Sequence, residues 1–353
     1  MTPILKTGMK RTLFIALIAL ISTTLSAQDN GIVNLRFEVR ADYMQEYQDG
    51  GKIHGGSGFK GRYLNIRMDG NITDGLSYSF RHRLNRLNSD ESFFNATDWV
   101  TLNYKIRNWG FSAGKQVVAI GGYEYDRAPI DLYFCSEFWN NIACYQFGVS
   151  STFTLDSGKD TFLLQLCESP FRKNSLNVDR KEMFAYNLMW YGNHDWFSTM
   201  YSFNMIEYMP GRFINYIVLG NQFTFGNFRI DLDIMNRTAS IENFFGKDMS
   251  VMGELTWKAC EHLNVIAKCT YDVNNSNESG DLCVAQGTDI VRIGAALEYF
   301  PIKTYKDLRL HLNCCYTDGR SPASAVLRPK QTIIDAGITW KVGLLDIRRK
   351  NRK

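Results

Sequence analysis

The sequence predicts an all-β fold, a transmembrane antiparallel up-and-down β-barrel of about sixteen strands with a long inward-folded loop. Three observations predict it. Apolar and polar side chains alternate with a period of two along most of the chain, which sorts them onto the two faces of a strand and scatters them around a helix. Short turns alternate with longer polar connections, as hairpin turns at one end of a barrel and loops at the other would do. Aromatic residues, 14% of the chain, fall near the ends of the alternating runs at Tyr104, Trp257, Tyr271, Tyr299 and Trp340, where a membrane interface would hold them.

The chain opens with Lys6, Lys10 and Arg11, followed by the apolar run TLFIALIALI at 12–21 and then STTLSAQD. A positive start, a core of about ten apolar residues and the small Ala27 at a cleavage position describe a signal peptide over 1–27. That run is too short for a bilayer-spanning helix, and no stretch of about eighteen apolar residues follows it. Export leads to a compartment where disulfides form, yet the eight cysteines present no framework. Cys314 and Cys315 are neighbours on opposite strand faces, and Cys167 and Cys269 sit inside other strand-like runs; only Cys135 and Cys144 fall either side of a turn-like segment, and the sequence leaves their pairing open.

The barrel is expected over 28–343. In IVNLRFEVRADY, Val33, Leu35, Phe37 and Val39 alternate with Asn34, Arg36, Glu38 and Arg40. RYLNIRMDG sets Leu64, Ile66 and Met68 against Asn65, Arg67 and Asp69. In LSYSFRHRLNRLN, Leu76, Tyr78, Phe80 and Leu84 point one way and Ser77, Ser79, Arg81, Arg83 and Asn85 the other, with His82 falling in the apolar row near the interface. DWVTLNYKI places Val100, Leu102, Tyr104 and Ile106 opposite Thr101, Asn103 and Lys105. The same order returns at 228–234, 251–258, 263–272, 291–299, 308–313 and 333–342. In hydrocarbon every backbone group must be paired, so such a sheet has to close, with its apolar row against lipid and its polar row inside. About sixteen strands leave an aqueous lumen. An arginine facing lipid at mid-depth costs about 2–4 kcal/mol, which assigns the charged row to the interior.

Formal net charge is +4, of which Lys6, Lys10 and Arg11 supply three, so the remainder carries +1. The basic tail over 344–353 holds Arg348, Arg349, Lys350, Arg352 and Lys353, and the body before it is net negative. No body-wide basic surface supports a nucleic-acid partner. GSGFKG at 56–61 matches a dinucleotide-binding glycine pattern, but a strand rather than a helix follows it. The five histidines show no metal-ligand spacing, and His194–Asp195 in GNHDW reads as a turn with no nucleophile motif to complete a catalytic set. No catalytic residue, metal site or cofactor is expected, and the chain is not expected to be an enzyme.

One region breaks the rhythm. From Lys115 the chain reads KQVVAIGGYEYDRAPIDLYFCSEFWNNIACYQFG, about 25 residues of aromatic and acidic character between two strands, in the third long connection. It is read as a loop that folds inward and narrows the pore, carrying Glu124, Asp126, Asp131 and Glu137 with Arg127 as its one basic residue.

The signal, the alternating runs and the passage GKQ…GGYEYDRAP…FWNN at 114–141 resemble the phosphate-selective porin O and P family as found in Bacteroidetes. The resemblance implies a trimeric sixteen-stranded porin of the Gram-negative outer membrane, with an inward third loop and passive diffusion of small hydrophilic solutes. By that similarity Arg67, Arg81, Arg83, Lys105 and Lys115 are candidates for an anion path, with Arg36 and Arg40 beside them on the polar row of the first strand. The partners implied are small anions such as phosphate, outer-membrane lipid and two further copies of the chain. The lysine cluster of phosphate-binding members is not evident in the loop, and no aromatic residue closes the chain. A non-conducting barrel acting as adhesin, scaffold or surface-binding protein is the competing expectation.

Overall fold

The computed structural model describes residues 31–348 apart from 87–92, 174–181, 241–244, 277, 279, 323–325 and 328–329. The signal stretch 1–27 and the end of the basic tail, 349–353, lie outside the described residues. One 18-stranded antiparallel sheet forms the molecule, and two of its strands, Gly51–Lys52 and Val326–Leu327, are two-residue pieces at loop ends.

The sixteen long strands are β1 Gly31–Gln48, β2 Gly58–Asn71, β3 Leu76–Arg83, β4 Thr97–Ile106, β5 Trp109–Val117, β6 Tyr145–Thr154, β7 Asp160–Glu168 and β8 Phe184–His194, followed by β9 Phe197–Met209, β10 Arg212–Phe225, β11 Phe228–Thr238, β12 Asp248–Cys260, β13 Leu263–Asn274, β14 Asp289–Tyr299, β15 Leu308–Ser321 and β16 Gln331–Arg348. Each pairs with the next in sequence, and β1 pairs with β16 from Gly31↔Arg348 to Gln48↔Gln331, so the sheet closes. Among the described residues closure gives each long strand a neighbour on both sides, which is what a lipid environment demands.

The last strand runs beyond the boundary expected at 343. Residues 344–348, assigned to the tail from the sequence, continue the ladder against β1, where Leu345 and Ile347 lie in register with Leu35 and Val33. Pairing with an 18-residue first strand, rather than the charge of the segment, sets where the last one ends.

The alternation lands as expected on most strands. Leu102, Val149, Leu164, Leu188, Ile293, Leu312 and Ile338 stand exposed on the outer face. Aromatic rings gather at the ends of strands joined by short turns: Trp109 on Phe153, Trp196 on Phe223 and Phe225, and Phe228 on Trp257. Such a girdle suits the membrane–water boundary, where a ring has an apolar body in lipid and an edge near water. Two-residue turns join several of these strands, and they rely on left-handed backbone at Arg107 (φ 51°) and Asp195 (φ 62°). His194 and Asp195 therefore belong to a hairpin turn, with the His194 ring 3.3 Å from Asp160 on the neighbouring strand.

Three expectations need correction. The third strand ends at Arg83, so Leu84 enters a short 3-10 turn instead of completing a lipid-facing row. His82 is only 3% exposed, because the helical turn Phe93–Ala96 folds back over it: Phe93 stacks on its ring at 4.4 Å and Thr97 Oγ1 lies 3.0 Å from its Nδ1. The interior is also less uniformly polar than an open aqueous lumen. Cys167, Ala185, Ile206, Ile214, Tyr216 and Val218 form a buried cluster with Ile120, Tyr125 and Phe138 of the inserted loop. On that side the loop replaces water with packed side chains.

Candidate functional site

The site is built from the polar rows of β1–β4 and from residues 118–144, the connection between β5 and β6. Cross-strand register places Arg36 beside Arg67 and Arg67 beside Arg81, so three guanidinium side chains stand in one row across β1, β2 and β3. The row continues to Trp99 of β4, which is in register with Arg81. Neighbouring like charges in a ladder repel one another, and interleaved acids relieve this. Asp69 takes Arg67 at 2.8 Å and Arg36 at 3.4 Å, Glu38 takes Arg81 at 3.1 Å, and Asp98 takes Arg83 at 2.6 Å and Arg81 at 3.5 Å. Four guanidinium groups thus share three carboxylates, and the row keeps a positive excess. The Trp99 ring lies under two of them, with the Arg81 and Arg67 guanidinium carbons 5.0 and 5.5 Å from its centre.

The other expected path residues fall in three places. Arg40 is 1% exposed and binds Asp42 at 2.9 Å, while Nη1 donates to the carbonyl oxygens of Ile130 and Leu132, so it anchors the loop. Lys105 stands exposed near the short-turn end of β4. Lys115 is in register with Val100 and the exposed Phe147, and its ammonium donates to the carbonyl oxygens of Phe94 and Thr97, each at 2.6 Å. It closes the end of a neighbouring loop and is not part of the arginine row. It also forms part of the wall of a mouth cavity of 860 Å³, with Lys60, Arg62, Arg83, Arg86 and Lys173 and against the acids Asp98 and Glu168.

The loop folds inward as expected, and the wall holds it at closely spaced points. Its first backbone amides donate to the Gln165 side chain, to Ser202 Oγ and, from Tyr123 and Glu124, to both oxygens of Asp233. Arg127 is tied to Asp231 and, at 2.5 Å, to Glu254. Asp131 receives Arg309 at 2.7 Å and Lys341 at 2.9 Å. Glu124 accepts Lys268 at 2.7 Å and the Ser136 hydroxyl, and Glu137 accepts Arg292 at 2.6 Å. Tyr133 donates to Glu298 at 2.8 Å. The chain of contacts follows the wall from β7 round to β1, and it pairs Glu124, Asp131 and Glu137 with wall cations. Asp126 lines a small cavity on the other flank of the loop.

Burial alone would raise the Asp131 carboxyl, and the charges of Arg309 and Lys341 more than reverse that, so it titrates below its ordinary 3.8. All eight cysteines carry free thiols. Cys135 and Cys144 do not bridge the loop, and burial pushes the Cys135 thiol up and that of Cys144 to about 11.

A second inserted loop was not anticipated. Within 275–288, Asp281, Cys283 and Val284 are buried; Asn141 of the first loop donates to the Cys283 carbonyl, and Asp281 receives the fully buried Arg237 at 2.6 Å. The apolar triplet LCV inside an otherwise polar loop is the trace this leaves in the sequence. Asp42, His311 and Asp335 also converge, but the Arg40 guanidinium lies 2.9 Å from Asp42 and 3.7 Å from Asp335 and supplies the positive charge there.

Residues 33–190 match the model of the phosphate-selective porin O and P family. That span takes in β1 through most of β8, including the arginine row and the inserted loop. Solved structures share the fold at low sequence identity. The anion-selective porin from Comamonas acidovorans is 12% identical with a TM-score of 0.62, covering 88% of this chain and 99% of its own. The outer membrane channel DcaP of Acinetobacter baumannii is 10% identical with a TM-score of 0.64, covering 88% and 97%. In-vitro folded OmpT of Vibrio cholerae, in its trimer form, is 13% identical with a TM-score of 0.55, covering 88% and 99%. No curated protein matches the chain in sequence. The chain has the fold of an outer-membrane porin.

Proposed function

We propose that this protein is an outer-membrane diffusion channel that favours small anions. The observation that carries the reading is the pairing pattern. Glu124, Asp131 and Glu137 are neutralised against Lys268, Arg309, Lys341 and Arg292, while Arg36, Arg67, Arg81 and Arg83 share fewer carboxylates than they number. An ion entering past Lys60, Arg62 and Arg86 at the mouth then meets a wall of positive potential. Phosphate is one candidate solute, since a guanidinium fork matches its oxygens. Export by the 1–27 signal and assembly as a homotrimer complete the proposal; the trimer form of the Vibrio cholerae relative supports the second.

Purified protein in a planar bilayer tests this. Single-channel steps and an anion-leaning reversal potential in a salt gradient are the expected result. A cation-leaning potential would overturn the anion preference. A barrel that inserts and never conducts would favour the adhesin or scaffold reading instead.

A further inference from the structure

Lys115 faces outward rather than into the lumen. It follows Phe111 and Ala113 on the outward row of β5 and is in register with Val100 and the exposed Phe147, near the end of the strand that leads into the inserted loop. A lysine on the lipid-facing row is costly at mid-depth and cheap near the interface, so the rim is where the wall tolerates one. Its ammonium uses two of its three N–H groups, on the carbonyl oxygens of Phe94 and Thr97. Lys173 donates at 2.6 Å to the side chain of Asn95, the next residue of the same helical turn. Two ammonium groups thus bracket the Phe93–Ala96 turn, and among the described residues both rest on neutral oxygens.

Both lysines line the mouth cavity, whose wall carries six cations against Asp98 and Glu168. Those two acids are already engaged, Asp98 by Arg83 at 2.6 Å and Glu168 by Arg172, and the other polar side chains on the wall are uncharged. The same wall includes Phe94 and Phe147, whose rings meet edge-on at 5.5 Å and are 49% and 40% exposed. From Phe147 the outward row of β6 continues to the exposed Val149. One cavity therefore joins uncompensated positive charge at the rim to the apolar surface that faces lipid.

We infer that Lys115 and Lys173 dock the phosphate-bearing head group of a membrane lipid, whose acyl chains run along Phe94, Phe147 and Val149. The head group brings negative charge to two ammonium groups that have only neutral partners, as basic pockets at a membrane surface do for anionic lipids. The hydrocarbon covers rings that already stand in the lipid-facing row. A free inorganic anion finds the charges and nothing to lay against the rings, and an uncharged lipid finds the rings alone. The inference goes beyond the channel reading and holds whether or not the barrel conducts. It also gives Lys115 a role away from the ion path.

The test uses the purified protein in neutral detergent, with bound lipid counted by native mass spectrometry. The probes are diphosphorylated lipid A, the same lipid stripped of its phosphates, and inorganic phosphate as competitor. Lipid A is expected to bind, the stripped lipid to bind far less well, and a large excess of phosphate to leave lipid A in place. Lys115→Gln combined with Lys173→Gln should weaken lipid A binding by about fivefold for each ammonium removed. Lys105→Gln, near the short-turn end of β4, should leave it unchanged. Heat-modifiable gel mobility shows that each barrel is folded, and Lys173→Gln alone serves if the double variant does not fold. Equal binding of the stripped lipid overturns the inference, as does undiminished binding to the folded lysine variants. Displacement by phosphate would assign the cluster to a free anion and overturn the lipid. A loss in Lys105→Gln equal to that of the lysine pair would also overturn it, since any cation would then serve.

Discussion

Arg309 of β15 donates to the Asp131 carboxylate of the inserted loop across 2.7 Å, joining residues 178 positions apart in sequence. Lys341 reaches the same carboxylate from β16 at 2.9 Å. The loop is thus held at its far end by two cations from adjacent strands, and its position in the lumen depends on their charge.

Asp131→Asn should loosen that anchor. Asp131 is about a quarter exposed, 27% of its side chain, so solvent screening reduces the loss to about 1–2 kcal/mol, less than the ~3–5 kcal/mol of a fully buried pair. The expected readout is greater open-channel current noise with the barrel still folded. An unchanged noise spectrum would count against anchoring by this contact.

The same contact sets a pH dependence. The Asp131 carboxyl is depressed below 3.8, so its contribution to loop anchoring is fully present above that value and is lost only as the pH falls through the lower folded value. Current noise attributable to Asp131 should therefore stay flat from neutral pH down to about pH 4 and rise below it. A rise centred near pH 6 would assign the loop's mobility to another group.

Arginines of one row should respond differently to substitution. Arg36→Gln and Arg67→Gln, whose side chains remain partly accessible, are expected to shift the reversal potential toward cations while leaving folding intact. Arg81→Gln removes a 1%-exposed cation and leaves the buried Glu38 without one, while Asp98 keeps Arg83, a loss of about 3–5 kcal/mol. It should lower the temperature at which the folded band disappears in a gel. Equal behaviour of all three in both measurements would remove the distinction between path and support.

Lys115→Gln is expected to leave ion selectivity nearly unchanged, because its ammonium is engaged by the Phe94 and Thr97 carbonyls. A selectivity shift as large as that of Arg67→Gln would place Lys115 on the path after all.

Arg237→Leu tests the second inserted loop. With Arg237 gone, Asp248 and Asp281 are left buried and uncompensated, a loss of about 3–5 kcal/mol. Protease cleavage within 275–288 of an otherwise folded barrel is the expected result. Resistance equal to that of the unaltered protein would mean that the loop is held by other contacts.

The sequence by itself determined which side chains face outward and where the sheet turns, because a strand's side-chain period is two and only one face meets lipid. Val33 to Val39, Tyr78 to Phe80 and Leu308 to Leu312 could be read this way, and so could the inward fold of 118–144, since a long aromatic stretch without strand alternation has to pack somewhere. The polar character of Lys268, Arg292, Arg309 and Lys341 was equally legible. What each would bind was not, because Glu124, Glu137 and Asp131 lie 144, 155 and 178 or more positions away and no local periodicity relates them.

Only the tertiary structure decided that Arg40 and Lys115 serve loops, that Phe93 returns to cover His82, and that Trp99 faces the arginine row. The physical reason is closure. Once β1 pairs with β16, residues from opposite ends of the chain share one lumen, and which charges remain unneutralised there depends on how loops and wall meet across it.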